Sequence, residues 1–246
     1  MTALSGQVSP FRLEQAVLRV ASQLPSRGYF LPQRAPTEVL LWRELAACII
    51  GSRVRFETAR SCESILIKSG LLNVPSPHCN YDQLEVRLRS GLQGQLELAG
   101  CGEWKPVRHR HPNQTARRLR LTAEHLYGRS PKPLSTLLGL GHPSRSLRKA
   151  LMEVACGVGP KQASLFLANV GRGNDLAVLD THVLDYLGLV GILQGPERRW
   201  PKTMRQYEAV EARFLSYSDL VRVPVPDLDT AVWVVMRVYK QQRSAR

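Results

Sequence analysis

The stretch LRKALMEVACGVGPKQASLFLANVG, Leu147 to Gly171, constrains the fold more than any other part of this chain. Apolar residues recur at helical spacing on both sides of Gly-Val-Gly, and Pro160 is a residue type favoured at the first position of a helix. The spacing predicts a helix from Ser146 to Cys156, a tight turn over Gly157 to Gly159, and a second helix from Pro160 to Val170. Glycine admits left-handed backbone and close approach, so the chain reverses within three residues. Ala163, one turn into the second helix, is small enough to let the two helices pack closely. The second helix then presents its first N–H groups and the positive end of its dipole to an anion such as a phosphate. An ordinary αα-hairpin with no ligand has the same pattern, and the glycines alone do not decide between the two.

The rest of the chain also reads as helical. Leu13, Ala16, Val17, Val20 and Leu24 mark one helix, ended by the breakers Pro25, Gly28, Pro32 and Pro36. Thr37 is a candidate N-cap for a buried helix ending near Gly51, and a further helix runs from Phe56 to a C-cap at Gly70. NVPSPHCN reads as a loop and Asp82 to Ser90 as helix. QLELAG alternates like a short strand inside a glycine-rich piece and is read as loop or short helix. Pro112 separates an extended basic stretch from a helix beginning at Asn113 or Gln114. RSPKPLSTLLGLGHPS reads as a connection. After the second hairpin helix come the loop GRGND, the apolar run LAVL, a helix from Thr181 to Leu187, and largely helical sequence ending in DLDTAVWVVMRVYK. Sustained strand alternation and internal repeats are both absent. The expected class is all-α.

Lys and Arg number 34 against 20 Asp and Glu, a net charge of +14 over 246 residues. A field of that sign favours polyanions, nucleic acid foremost, because each neutralised phosphate releases counterions. A basic solvated surface or a ribosomal or membrane-surface partner fits the charge as well. The five cysteines, Cys48, Cys62, Cys79, Cys101 and Cys156, are widely spaced and form no Cys-x-x-Cys pair, which suits a reducing cytosol and suggests no zinc site. The N-terminus lacks a signal-peptide pattern and no apolar run approaches the ~20 residues of a membrane helix, so a soluble protein is expected.

Two residues carry candidate chemistry. Lys161 stands directly behind the turn, where it serves as a phosphate contact or, with its charge suppressed, as an amine nucleophile. Asp180, nineteen residues later, ends LAVL and precedes THVLDYL. It is a preferred N-cap residue, and a carboxylate pinned by capping is also preorganised to stabilise developing positive charge.

GVGPKQASLFLANVG followed by DLAVLDTHVLDYL resembles the helix–hairpin–helix Gly-Pro-Asp superfamily of DNA glycosylases. Within it the chain most resembles the archaeal-type 8-oxoguanine DNA glycosylase/AP lyases, through LLWRELAACIIGS, VRHRHPNQTA and DLDTAVW. The resemblance spans roughly residues 38–240. It implies an all-α fold of two helical subdomains with a DNA-facing cleft between them, preceded by a leader and helix over 1–36 and followed by a basic tail over 241–246. It implies excision of a damaged base from double-stranded DNA, most simply 8-oxoguanine, by Lys161 as nucleophile with Asp180 as its partner, followed by β-elimination. Gly157, Gly159, His182, Arg53, Arg55 and Arg110 are the implied DNA contacts, and His111 and Trp233 the implied base pocket. The chain departs from the family at Arg53, where an Asn usually fills the gap left by the flipped base. It departs again at His111, where related enzymes place a Phe, and in its extension past Gln242. These departures leave another modified base as the alternative substrate, and a helix–hairpin–helix protein that grips DNA without chemistry, with Lys161 as a phosphate contact, is the alternative function. No cysteine follows Cys156, so the iron–sulfur cluster of another superfamily branch is not expected; the protein is expected to need no metal or cofactor and to act as a cytoplasmic, nucleoid-associated monomer.

Overall fold

The computed structural model describes residues 9–24, 36–94, 107–139, 141–195 and 200–244. Gln95 to Gly100, Cys101, Pro25, Gly28, Pro32 and the last residues of the basic tail lie outside them. Among the described residues all regular structure is helical: α1 (Pro10–Gln23), α2 (Glu38–Ile50), α3 (Phe56–Lys68), α4 (Tyr81–Leu92), α5 (Pro112–Tyr127), α6 (Leu134–Leu137), α7 (Ser144–Val154), α8 (Pro160–Asn169), α9 (Thr181–Leu189), α10 (Met204–Val221) and α11 (Val225–Ser244). None of these helices is long and apolar enough to cross a membrane. Cys48, Cys62, Cys79 and Cys156 are free thiols.

The helix ends follow local chemistry. α1 starts ahead of its first apolar residue because Ser9 Oγ accepts the Arg12 N–H at 3.3 Å and Pro10 occupies N1. α5 likewise starts at Pro112 rather than one or two residues later. α7 stops at Val154, short of the expected Cys156, because Ala155 is already extended at ψ 110°. The α10 N-terminus is a capping box of Thr203 and Gln206.

The chain divides into two compact units, residues 32–173 and residues 1–31 with 174–246. In the first, α2 is the central element, packing on α3, α5, α6 and α8. Its sequence EVLLWRELAACII is apolar nearly all round, which fits a helix buried on most sides, and Leu41, Trp42, Leu45, Ala46, Ile49 and Ile50 are all buried. In the second, α1 and α9 pack on α11. The stripe Leu13, Val17 and Ala21 of α1 joins a core with Val183 and Leu187 of α9, Phe214 of α10, and Leu228 and Val232 of α11.

One polar group holds together the part of the first unit that the sequence did not reveal. The Glu38 carboxylate, at the start of α2, accepts from Tyr127 Oη at 2.7 Å and from the N–H groups of Leu134 and Ser135 at 2.8 and 2.9 Å. It thereby caps the single turn α6, in a segment that reads as a mere connection. Burial alone raises the Glu38 pKa, but the hydrogen bonds from Tyr127, Ser135 and Leu134 together outweigh it and leave the carboxyl below its ordinary value. With the folded value depressed, the stabilisation is present above the ordinary carboxylate pKa and is lost as the pH falls through the folded value. Glu38→Gln is therefore expected to cost about 1–3 kcal/mol at neutral pH and much less in acid. Urea unfolding at neutral and at acid pH measures this, and equal losses at both would refute a charge-dependent role.

Candidate active site

The hairpin is fixed by side chains of α5 rather than by its glycines alone. Past α7 the backbone leaves the helix, and its orphaned polar groups need partners. Thr122 Oγ1 accepts the Cys156 N–H at 2.9 Å, and His125 Nδ1 lies 3.2 Å from the Val154 carbonyl oxygen. One turn earlier on the same face of α5, Arg118 lies against Gly157. A Cβ at Gly157 would overlap its guanidinium, and Gly157 is left-handed at φ 72°. Gly159 differs: it is extended (φ −96°, ψ −179°), caps α8 with no side chain, and hands over to Pro160 at N1. The expectation of glycine geometry therefore rests on Gly157. Ala163 is fully buried as expected, and Ser164 beside it receives a 3.2 Å bond from Nη1 of the buried Arg148 on α7.

Lys161 occupies N2 of α8, on a helix clamped antiparallel to α2. Asn169 Nδ2 donates to Glu44 Oε1 at 2.6 Å at one end, and Gln162 Nε2 to Ser52 Oγ at 3.1 Å at the other. Between them lies the buried thiol of Cys48. Burial and the Glu44 carboxylate push its pKa up, and the Lys161 charge opposes them. The Gln162–Ser52 bond also brings the loop after α2 to the hairpin. Arg53 on that loop is exposed and left-handed, φ 61°, a strained conformation for a side-chain-bearing residue. Arg55, exposed, precedes α3 without a side-chain cap bond.

His109, which the sequence reading passed over, ties the basic stretch to the same place. Its buried ring accepts the His111 N–H on Nδ1 at 3.0 Å, so Nε2 carries the proton and donates to the Ile50 carbonyl at 2.9 Å. Burial first, and His111 beside it, hold its pKa below the ordinary value, in keeping with a neutral ring. The adjacent Arg110 is exposed, and His111 is half-buried at the N-cap of α5 without a side-chain cap bond. Within this unit, then, Arg53, Arg55, Arg110, His111, the hairpin glycines and Lys161 sit on segments tied to one another by hydrogen bonds.

In the other unit, Asp180 is the N-cap of α9. Its Oδ1 accepts the N–H groups of His182 and Val183 at 2.8 and 2.9 Å. Its Oδ2 makes no hydrogen bond among the described residues. The preceding run, Leu176 to Leu179, is non-helical and largely buried, and side chains accept its N–H groups. Glu211 Oε1 accepts from Ala177 N–H at 3.1 Å and Asp229 Oδ2 from Val178 N–H at 2.7 Å. The Tyr207 hydroxyl accepts the Leu179 N–H at 3.2 Å and donates to the Ala177 carbonyl at 2.8 Å. Asp229 stood in the quoted DLDTAVW with no role; Tyr207 and Glu211 carried no signal at all. His182 and Trp233 meet with ring centroids 6.5 Å apart, nearly perpendicular, and the Arg237 guanidinium carbon lies 5.0 Å from the Trp233 centroid. Among the described residues no group of three His, Cys, Asp or Glu could hold a metal ion.

Comparisons with known proteins bear on the family and the fold. Residues 101–223, half of the chain, match the Ogg-HhH family, 8-oxoguanine DNA glycosylase. An 8-oxoguanine DNA glycosylase/AP lyase of Fusobacterium nucleatum is 33% identical over 88 residues, which span 35% of this chain and 39% of that protein. One of Saccharolobus islandicus is 27% identical over 196 residues, 80% of this chain and 82% of the relative. Among solved structures, the Methanocaldococcus jannaschii 8-oxoguanine DNA glycosylase superposes with a TM-score of 0.65 at 19% identity, covering 89% of this chain and 92% of that one. The same protein bound to a 15mer DNA containing 8-oxoguanine gives 0.62 at 20% identity, covering 90% and 87%. At these identities the structural likeness establishes the all-helical fold.

The two hairpin glycines are not equivalent. Gly157→Ala is expected to cost at least about 1–2 kcal/mol from its left-handed backbone, with the overlap at Arg118 in addition. At Gly159 an added Cβ meets only Gln162 Oε1 at 3.5 Å, so Gly159→Ala is expected to change stability by less than about 1 kcal/mol. Thermal denaturation of both variants decides, and equal losses would refute the assignment.

Proposed function

The chain belongs to the Ogg-HhH family of 8-oxoguanine DNA glycosylases, and from that premise we propose that it excises a damaged base from duplex DNA and then cleaves the strand as an AP lyase. The observation that carries this reading is the state of the two reacting groups. A lysine stands at N2 behind a phosphate-type hairpin, and a carboxylate has one oxygen committed to a helix cap and the other uncommitted.

The first step is extrusion of the target nucleotide, since chemistry at the glycosidic carbon needs the base out of the stack. Hairpin N–H groups and the exposed Arg53, Arg55 and Arg110 hold the flanking phosphates, and the field of a +14 chain supplies salt-dependent affinity without regard to sequence. As the bond between C1′ and the base lengthens, the sugar gains oxocarbenium character, which the Asp180 carboxylate stabilises. The Lys161 amine attacks C1′, and the base leaves with the bonding electron pair and takes up a proton. Opening of the sugar ring gives a Schiff base between Lys161 and C1′. Loss of a C2′ proton then expels the 3′ phosphate by β-elimination, and hydrolysis returns the amine. The family resemblance supports a further phosphate contact by His182, at N2 of α9, and contacts to the base by His111 and by Trp233. The substrate that best fits the family is 8-oxoguanine.

Borohydride is expected to trap a covalent complex with duplexes containing 8-oxoguanine or an abasic site. Lys161→Gln should abolish it while DNA binding persists. Trapping undiminished in that variant would sink the assignment. Asp180→Asn keeps an N-capping side chain and removes the charge, so excision should fall on the order of 100-fold or more with little change in melting temperature. A panel of duplexes, each with one altered base, reads the substrate directly.

Arg53 offers a separate check, because its strain and its contact with DNA pull in opposite directions. Arg53→Gly should raise stability by up to about 1 kcal/mol, since glycine adopts left-handed backbone without a steric penalty, while lowering excision. Loss of both stability and activity would mean that the arginine is structural.

A further inference from the structure

Trp233 is reached from the catalytic carboxylate through one side chain. Asp180 caps α9, His182 is the second residue of that helix, and its ring meets Trp233 of α11. An aromatic ring so close to the group that stabilises the sugar is a natural stacking platform for a flipped base. In this chain the platform already carries something. Arg237, one helical turn along α11, places its guanidinium carbon 5.0 Å from the Trp233 ring centroid. Both side chains are half-buried.

We propose that Arg237 is a specificity-determining residue. Its guanidinium rests on the Trp233 ring in the unbound protein, is displaced from ring face to base edge when the flipped base stacks, and there donates hydrogen bonds to carbonyl oxygens of that base. Stacking a base on an aromatic ring is worth more than a partly solvated cation–π contact, so the base takes the ring face. Arg237 is tethered one turn away and stays within reach of the edge. Its hydrogen-bonding atoms are all donors in a flat fork, so it favours a base that presents carbonyl acceptors and disfavours one that presents an amino group there. 8-Oxoguanine carries carbonyls at positions 6 and 8. 8-Oxoadenine carries an amino group at position 6, whereas guanine keeps the carbonyl at position 6 and an acceptor at N7, so Arg237 discriminates against 8-oxoadenine rather than against guanine.

This inference rests on the glycosylase/lyase reading above and on Trp233 as its stacking residue. The full-length protein is compared with its Arg237→Met and Arg237→Lys variants under single-turnover conditions, on duplexes containing 8-oxoguanine, 8-oxoadenine, guanine or an abasic site. Methionine keeps the bulk of the side chain, and lysine keeps the charge while losing the fork. Both variants are expected to excise 8-oxoguanine about 10- to 100-fold more slowly, the effect of losing a forked contact to a base. Both should discriminate less between 8-oxoguanine and 8-oxoadenine. Cleavage at the abasic site, which has no base to read, should stay at the wild-type rate. Wild-type excision and discrimination in the methionine variant would overturn the proposal, as would full rescue by lysine. A parallel fall in abasic-site cleavage would make Arg237 structural and overturn it too. Failure of the wild-type protein on every duplex, the abasic one included, would instead refute the glycosylase/lyase reading, and this inference with it.

Discussion

In an all-helical protein, any segment that crosses the core without being helical has no ladder to satisfy its backbone, and the groups that supply those missing hydrogen bonds decide where the chemistry sits. Each unit solves this with side chains. Buried Ala177 and Leu179, and half-buried Val178 between them, are held by Glu211, Tyr207 and Asp229. The hairpin after α7 is held by Thr122 and His125 of α5, and the basic stretch before α5 by His109. Asp180 and Lys161 are the first capable residues after two of these supported segments. Removing a support would leave a buried N–H unpaired at a cost of about 1–3 kcal/mol and would also move the group that follows it.

Strain and close approach collect in the same regions. Arg53 and Arg222 are the non-glycine residues with positive φ among those described. Arg222 simply ends α10. Arg53 sits on a loop hydrogen-bonded through Ser52 to the residue beside Lys161. Under the reading proposed above, strain at an exposed basic side chain on that loop has a functional explanation that strain at a helix end does not need. Gly157 makes the matching point for the hairpin: its missing side chain is where Arg118 fits, so a cationic group comes close to the turn.

How much of this could be read from the sequence depended on the range of the interaction. Pro160 behind two glycines, and Asp180 ahead of an apolar run, are local signals, and the structure places α8 and α9 where they indicate. The α1 start was missed because apolar spacing was read from Leu13 while the cap, Ser9 with Pro10, lay just before it. α6 was missed because one turn of LSTL between prolines and glycines has no period, and what makes it helical is Glu38, 96 residues from Leu134. Tyr207, Glu211 and His109 were silent for the same reason: each acts on backbone 28 to 59 residues away. The positions of Lys161 behind the hairpin and Asp180 at the α9 cap were legible, and the side chains that support those segments were not.

The division of labour between charge and recognition follows from magnitudes. Exposed arginines neutralise at most one phosphate each, and they do so on any sequence. They raise residence on DNA, but they treat a damaged and an undamaged nucleotide alike. Flipping costs a few kcal/mol, and less when the base is already poorly paired, which supplies a first level of selection with no contact to the base. What remains must come from groups that meet the extruded base, where one forked contact is worth roughly 1–3 kcal/mol of discrimination. Under the reading proposed above, Arg237 over Trp233 is such a group, and a donor of that kind selects by the acceptors a base presents rather than by its shape.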